Sequence, residues 1–372
     1  MQKRLNIIFF IFLTSIFLFL TYHQSICSYP SDTSEHIKFT KEFFHHDRYI
    51  PHPLWHICSY TISKLFNIQL TLSAAICSTF LLVLWSILVY VFIIKNINDN
   101  FKVWLSMIII IMIGPLCIPW YNKIIYYGQG SPNIWHNVTL WSVKPFALLS
   151  TWLSIDGLYK KDIKKLTLAT IFTLISIFAK PSFIIMFLPA LLIYAIARQE
   201  YKDTLFIKFY VIVSGLSIMI LLYQYTHTFN QQEGKIIIDF LGVWSLHSPN
   251  IAISILLALA FPMTFISLHS KILQDRYILI SWIMIFISIA YYATFAQTGR
   301  FYTHGNFGWS YMIAMSLLYL FSIVKYFEIY TSLHIIKRVI LNTLLLIQTI
   351  IGIYYLYHIL IGQNPLYIAI FL

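Results

Sequence analysis

Apolar runs of about 17 to 25 residues recur along the whole chain, and each is long enough to cross the hydrocarbon core of a bilayer as a helix. Lipid offers no partner to backbone N–H and C=O groups, so such a chain has to be helical wherever it crosses. Of 372 residues, 59% are hydrophobic and only 10% are charged. That is too little charge to cover a soluble domain of this length. No polar stretch is long enough for a separate soluble domain. The expected fold is therefore all-α: a single polytopic transmembrane helical bundle over residues 1–372, with about 10–11 spans. The spans are expected at 5–22, 70–94, 102–119, 138–158, 166–180, 182–197, 207–224, 251–268, 277–296, 309–326 and 339–361.

The formal charge of +12 is read against that topology. In a membrane protein Lys and Arg mark the cytoplasmic ends of spans before they mark any partner. With the N-terminus in the cytoplasm, most cations fall on short inside loops, densest from Lys160 to Lys165. No basic stripe points to nucleic acid. The run Ile7–Leu20 follows Lys3-Arg4, a signal-like pattern, but no small-x-small cleavage site follows it, so it is read as a retained first span. The expected location is a bacterial-type cytoplasmic membrane. The break at Lys180-Pro181-Ser182 divides Leu166–Ala197 into two short halves. A hairpin with its tip near the external surface is expected, with re-entrant halves or one kinked helix as alternatives.

In this topology the external face collects polar residues beyond what connectors need. The first external loop, 23–69, carries Ser31-Asp32-Thr33-Ser34-Glu35-His36, His45-His46 and Pro51-His52-Pro53-Leu54-Trp55-His56. The loops 120–137 and 297–308 carry Gln129, His136 and Asn137, and Arg300, His304 and Asn306. Lys144 and Lys180 stand near helix ends on the same side.

Each has a plainer reading. Asp32 and Glu35 have the spacing of a capping box opening an amphipathic helix with Ile37, Phe39, Phe43 and Phe44 on its apolar face. Lys144 can snorkel to the interface, and His304 and Asn306 suit a turn beside Gly305. Trp55, Trp135, Trp141 and Trp309 suit an interfacial aromatic belt. Cys27 and Cys58 share the first loop and can pair in an oxidising compartment; Cys77 and Cys117 read as packing residues. The sharper reading rests on the set. Carboxylates act as general bases or hold a divalent ion. Cations at the edge of lipid suit a phosphate, and amides and aromatic faces suit sugars.

With those residues in place, the chain resembles the multi-spanning glycosyltransferases of the GT-C class, which use polyprenyl-phosphate-linked sugars. The shared features are a first span, then a long external loop with an acidic motif near its start and amphipathic helices, then spans joined by short cytoplasmic turns. The acidic motif here is Asp32 with Glu35, two residues apart, where the class has its carboxylates adjacent or one apart. The resemblance covers the chain to about Phe327. It implies inverting transfer on the non-cytoplasmic face, from a polyprenyl-phosphate-linked sugar to a glycan, lipid or protein acceptor. Asp32 or Glu35 would be the catalytic base. His36, Gln129, His136, Asn137, Lys144, Lys180, Arg300, His304 and Asn306 would supply substrate and phosphate contacts. No cofactor is certain. A divalent metal on a carboxylate with His136 or His36 is one option. An O-antigen polymerase or ligase, and a lipid-linked-glycan transporter, are the competing readings. Polymerases and ligases place their large loop late, and transporters carry ionisable residues along a mid-membrane path.

Overall fold

The computed structural model describes residues 2–27, 31–46, 48–118, 128–231 and 235–363. The described residues form a bundle of fifteen α-helices with one small β-ribbon. In order the helices are α1 (Gln2–Ile26), α2 (Thr33–His45), α3 (Leu54–Phe66), α4 (Leu70–Asn96), α5 (Asn100–Met112), α6 (Val138–Lys160), α7 (Ile163–Ala179), α8 (Ser182–Ala197) and α9 (Thr204–Gln231). The short strand β1 (Ile236–Ile238), α10 (Gly242–His247), α11 (Ile251–Ala258), α12 (Ala260–Leu268) and α13 (Arg276–Thr294) follow. Then come β2 (Phe295–Gln297), α14 (Gly308–Glu328) and α15 (Ile335–Leu360).

Seven helices, α1, α4, α6, α9, α13, α14 and the last, α15, are long and apolar enough to cross a membrane. The α11–α12 pair, bent by 70°, makes an eighth if taken as one span. The remaining expected spans fall on the shorter helices α5, α7 and α8. Of the long helices α14 is the most enclosed, while α1 and α9 turn most of their apolar surface outward. That gradient is the one expected when lipid, not water, is the outer solvent.

Two breaks shape the interior. The span expected over 102–119 stops being helical at Met112, because Gly114 precedes Pro115 and a residue before proline is pushed out of the helical region. The freed backbone is paired: Gly114 donates to Gln348 O (3.0 Å), Leu116 donates to Leu257 O (3.2 Å), and Gln348 Nε2 donates to Gly114 O (3.3 Å). The second break is at Leu259. Pro262 lacks the N–H that would bond Ala258 O four residues back, and Tyr319 Oη donates to that carbonyl instead (2.7 Å). Gln348 also donates to Tyr319 Oη (2.7 Å). Non-helical backbone at this depth persists because side chains of α14 and α15 close its hydrogen bonds.

Lys180 is extended (φ −167°) and Pro181 follows it, so α7 and α8 separate there. Lys161, at the start of α7, pairs with Asp203, just past α8. The two helices therefore run out and back as a hairpin, and Lys180 is its tip. A kinked single helix does not fit. At the end of the bundle away from Lys180, Lys160 and Lys165 pair with Asp156 (2.9 and 2.5 Å), and Lys325 pairs with Glu328 (3.0 Å). Arg276 and Lys95 lie over Tyr159 and Trp152 there (3.2 and 4.4 Å).

All four cysteines are free. Cys58 does not join Cys27; its thiol lies against Cys77, where α3 packs on α4. The β-ribbon, absent from the all-helical expectation, pairs Ile236–Ile238 antiparallel with Phe295–Gln297.

Candidate active site

The polar set centres on the N-terminus of α6. Asn137 is its N-cap: Oδ1 accepts from Leu140 N (2.8 Å) and from Thr139 Oγ1 (2.9 Å). Capping uses the amide oxygen and leaves the amide N–H groups free to point elsewhere. One goes to Asp32 Oδ2 at 2.5 Å. Thr139 has given its only proton to Asn137, so its oxygen accepts from Lys180 Nζ (2.7 Å). A continuous polar chain thus links Asp32, Asn137, Thr139 and Lys180 across the first loop, α6 and the α7–α8 tip. The Lys180 ammonium also lies 4.6 Å over the ring of Trp309, at the start of α14.

Asp32 is the N-cap of α2, yet its side chain makes no capping bond there. Its backbone N–H is held by His136 O (3.0 Å). The capping-box reading therefore fails for this carboxylate, which faces α6 and the positive end of that helix dipole. Asp32 is half-buried. Burial raises its pKa to about 6, against the pull of Lys180 and the Asn137 bond. Burial lowers Lys180 to about 8, with Asp32 opposing the fall. Burial thus draws the two groups' pKa values toward each other, and each charge opposes the other's shift.

Histidines line the same region. His36, one turn along α2 from Asp32, bonds His56 through Nδ1 and Nε2 (3.3 Å), and His56 Nδ1 meets Thr40 Oγ1 (2.7 Å). Burial holds His36 well below the ordinary imidazole range, and lowers His52 to about 3, His56 to about 4 and His136 to about 3. All four are neutral at physiological pH. Lys180 adds to the shift at His36 and at His52. His136 Nδ1 meets Tyr355 Oη (3.0 Å), which brings α15 to the site wall.

The structure gathers Asp32, His36, His136, Asn137 and Lys180 and distributes the other expected site residues elsewhere. Glu35 is exposed in the first turn of α2. Gln129 is fully buried and donates to Leu116 O. Lys144 is buried and donates to Pro132 O (2.9 Å) and Asn133 Oδ1 (3.0 Å), so its charge holds the loop together instead of reaching a surface. Asn306 donates to Gln297 and His304 packs edge-on against Phe301, within a second unit built on the β-ribbon. The side chain of Arg300 and residues 120–127 of the second loop lie outside the described part of the structure. Trp55, Trp135, Trp141 and Trp309 are buried inside the bundle instead of forming an interfacial belt; Trp55 meets His36 and Trp309 lies under Lys180.

Thr139 and Thr40 were not singled out by sequence, and His52 and His56 were noted only within the polar first loop. A weak signal existed: His36 and Thr40 stand at the i, i+4 spacing that puts side chains on one face of α2. Among the described residues no group of three or more His, Cys, Asp or Glu side chains is arranged to hold a metal ion. Comparison with known protein families, curated proteins and solved structures finds no match.

Proposed function

We propose that this multi-pass membrane protein transfers a sugar from a polyprenyl-phosphate donor to a glycan, lipid or protein acceptor, with Asp32 as the base. The observation that carries the reading is the hydrogen-bonded chain that joins the half-buried Asp32 carboxylate through Asn137 and Thr139 to the buried Lys180 ammonium, at one end of an apolar bundle. An acceptor hydroxyl would lose its proton to Asp32 and attack the anomeric carbon. The bond to the phosphate oxygen breaks, and Lys180 compensates the departing charge. Lys180 is held in place by Thr139 and Trp309. Pairing of the opposite end with its cluster of Lys and Arg supports a cytoplasmic assignment for that end, and so an external site.

The broken helices at Pro115 and Leu259 favour the transporter reading, since transporters build sites at such breaks. Their freed backbone groups are closed by Gln348, Tyr319 and Leu257, which leaves transfer as the stronger reading.

The test is release of polyprenyl phosphate from a panel of polyprenyl-phosphate hexoses by the full chain in lipid nanodiscs. Asp32→Asn is expected to lower turnover by at least about a hundredfold, while Glu35→Gln retains most of it. Normal turnover by Asp32→Asn rules the assignment out.

A further inference from the structure

The protons on the imidazoles beside Asp32 follow from the hydrogen bonds around them. Thr40 Oγ1 lies 2.8 Å from His36 O and 2.7 Å from His56 Nδ1. A carbonyl oxygen only accepts, so the single hydroxyl proton of Thr40 goes to His36 O. His56 Nδ1 then has to donate, and a neutral imidazole that donates from Nδ1 is bare at Nε2. That bare Nε2 faces His36 Nδ1 at 3.3 Å, so His36 Nδ1 carries the proton. The last atom of the relay, His36 Nε2, is left with a lone pair and no proton. With both rings neutral, any other assignment loses one of the three bonds.

The relay is anchored. Thr40 and His56 are fully buried, while His36 keeps part of its surface open. Trp55 and Phe39 meet the His36 ring edge-on, each with centroids 5.9 Å away, and limit its rotation. Among the described residues, the bond to His56 is the only side-chain hydrogen bond of His36.

We propose that His36 Nε2 is a fixed acceptor for a hydroxyl, so that the site takes a polyol or sugar-class ligand through this atom while phosphate goes to Lys180. The chemistry discriminates between the two. A lone pair accepts an O–H and repels a phosphate oxygen, whereas the Lys180 ammonium does the reverse. His36 is thereby separated from the phosphate contacts and becomes a residue that orients a hydroxyl about one helical turn from Asp32. The proposal deepens the sugar-transfer reading and rests on it for the identity of the ligand.

The experiment is nitrogen NMR of the full chain, labelled at histidine and held in lipid nanodiscs, with His36 assigned from the His36→Gln variant. The expected result is a single His36 tautomer with Nε2 unprotonated. Methyl β-glucopyranoside should shift that resonance and methyl phosphate should not. Thr40→Val removes the acceptor that orients His56. It should give mixed tautomers at His36 and weaken methyl glucoside binding about fivefold, the size of one lost hydrogen bond. Thr40→Ser should restore both. A protonated Nε2 in the wild type, a shift with phosphate alone, or no shift with the glucoside overturns the proposal. Absence of transfer activity alongside the expected tautomer and glucoside shift would instead overturn the transferase reading and leave the hydroxyl site standing.

Discussion

Under the proposed transfer, Asp32 and Lys180 set limits on when the site can work. A base has to be ionised, so activity should rise as pH passes about 6, where the Asp32 carboxyl loses its proton. Lys180 has to be charged to hold phosphate, so activity should fall as pH passes about 8. The groups facing the pair are Asn137 and Thr139, which do not titrate, the Tyr355 phenol on α15, and His36 and His52, which stay neutral across that window. A bell-shaped profile of kcat/KM is expected, with Asp32→Glu moving the acid limb. A flat profile between pH 5 and 9 would remove both residues from the chemistry. The two buried lysines should differ. Lys180→Met should lower kcat/KM about a hundredfold or more with the fold intact. Lys144→Met breaks two charged hydrogen bonds inside its own loop, worth about 1.5–3 kcal/mol each, and should appear as a lower melting temperature. Sequence placed both lysines near helix ends but could not separate their roles. The partners that do so lie close by for Lys144 but 41 residues away, at Thr139, for Lys180. The same distance problem hid the partner of Asp32, since its spacing to Glu35 read equally well as a cap until Asn137, 105 residues on, was seen beside it.

At the level of elements, helical periodicity and span length located the helices well, because lipid enforces them. The hairpin was legible too, since Lys180-Pro181-Ser182 is polar and helix-breaking where the flanks are apolar. What stayed hidden were the breaks whose cost is met by distant side chains. The Gly114-Pro115 pair marks the end of α5, but the extended chain beyond it is held by α15, which comes some 230 residues later. There Gly114 meets Gly352 so closely that a Cβ added at Gly114 would lie 3.0 Å from Gly352 Cα, and one at Gly352 would lie 1.7 Å from Met112 O. Gly352→Ala should therefore force α5 and α15 apart and lower stability by about 1–3 kcal/mol or more. Thermal unfolding in nanodiscs would show it. Gly215, where an added Cβ meets nothing within 4 Å, is the control: Gly215→Ala should leave the melting temperature unchanged or raise it. Equal losses at both glycines would mean that the close approach of α5 and α15 contributes no more than helix propensity.

Across the whole molecule, the functional reading depends on which loops share a side of the membrane. The structure brings the first loop, the start of α6, the α7–α8 tip and the start of α14 together through bonded contacts among Asp32, Asn137, Thr139, Lys180 and Trp309. It brings Lys161 and Asp203, and Lys325 and Asp275, together at the other end. This sorting needs every intervening helix to run the full length of the bundle, including the 17- and 16-residue α7 and α8. At about 1.5 Å per residue, α8 spans roughly 24 Å, short of a typical hydrocarbon core of about 30 Å. In the proposed orientation its tip at Lys180 should therefore sit below the outer surface, buried against Thr139 and Trp309. In a cysteine-free background, Glu35→Cys and Thr303→Cys should react with a membrane-impermeant maleimide from one face. Lys160→Cys and Lys202→Cys should react only from the opposite face. Ser182→Cys, beside the tip, should react slowly and from the Glu35 face alone. Labelling of Glu35→Cys and Thr303→Cys from different faces would separate the first loop from the start of α14 and dismantle the site. Labelling of Ser182→Cys from the Lys160 face would open the tip to the wrong side and leave Lys180 unable to hold a donor within reach of a hydroxyl that Asp32 deprotonates.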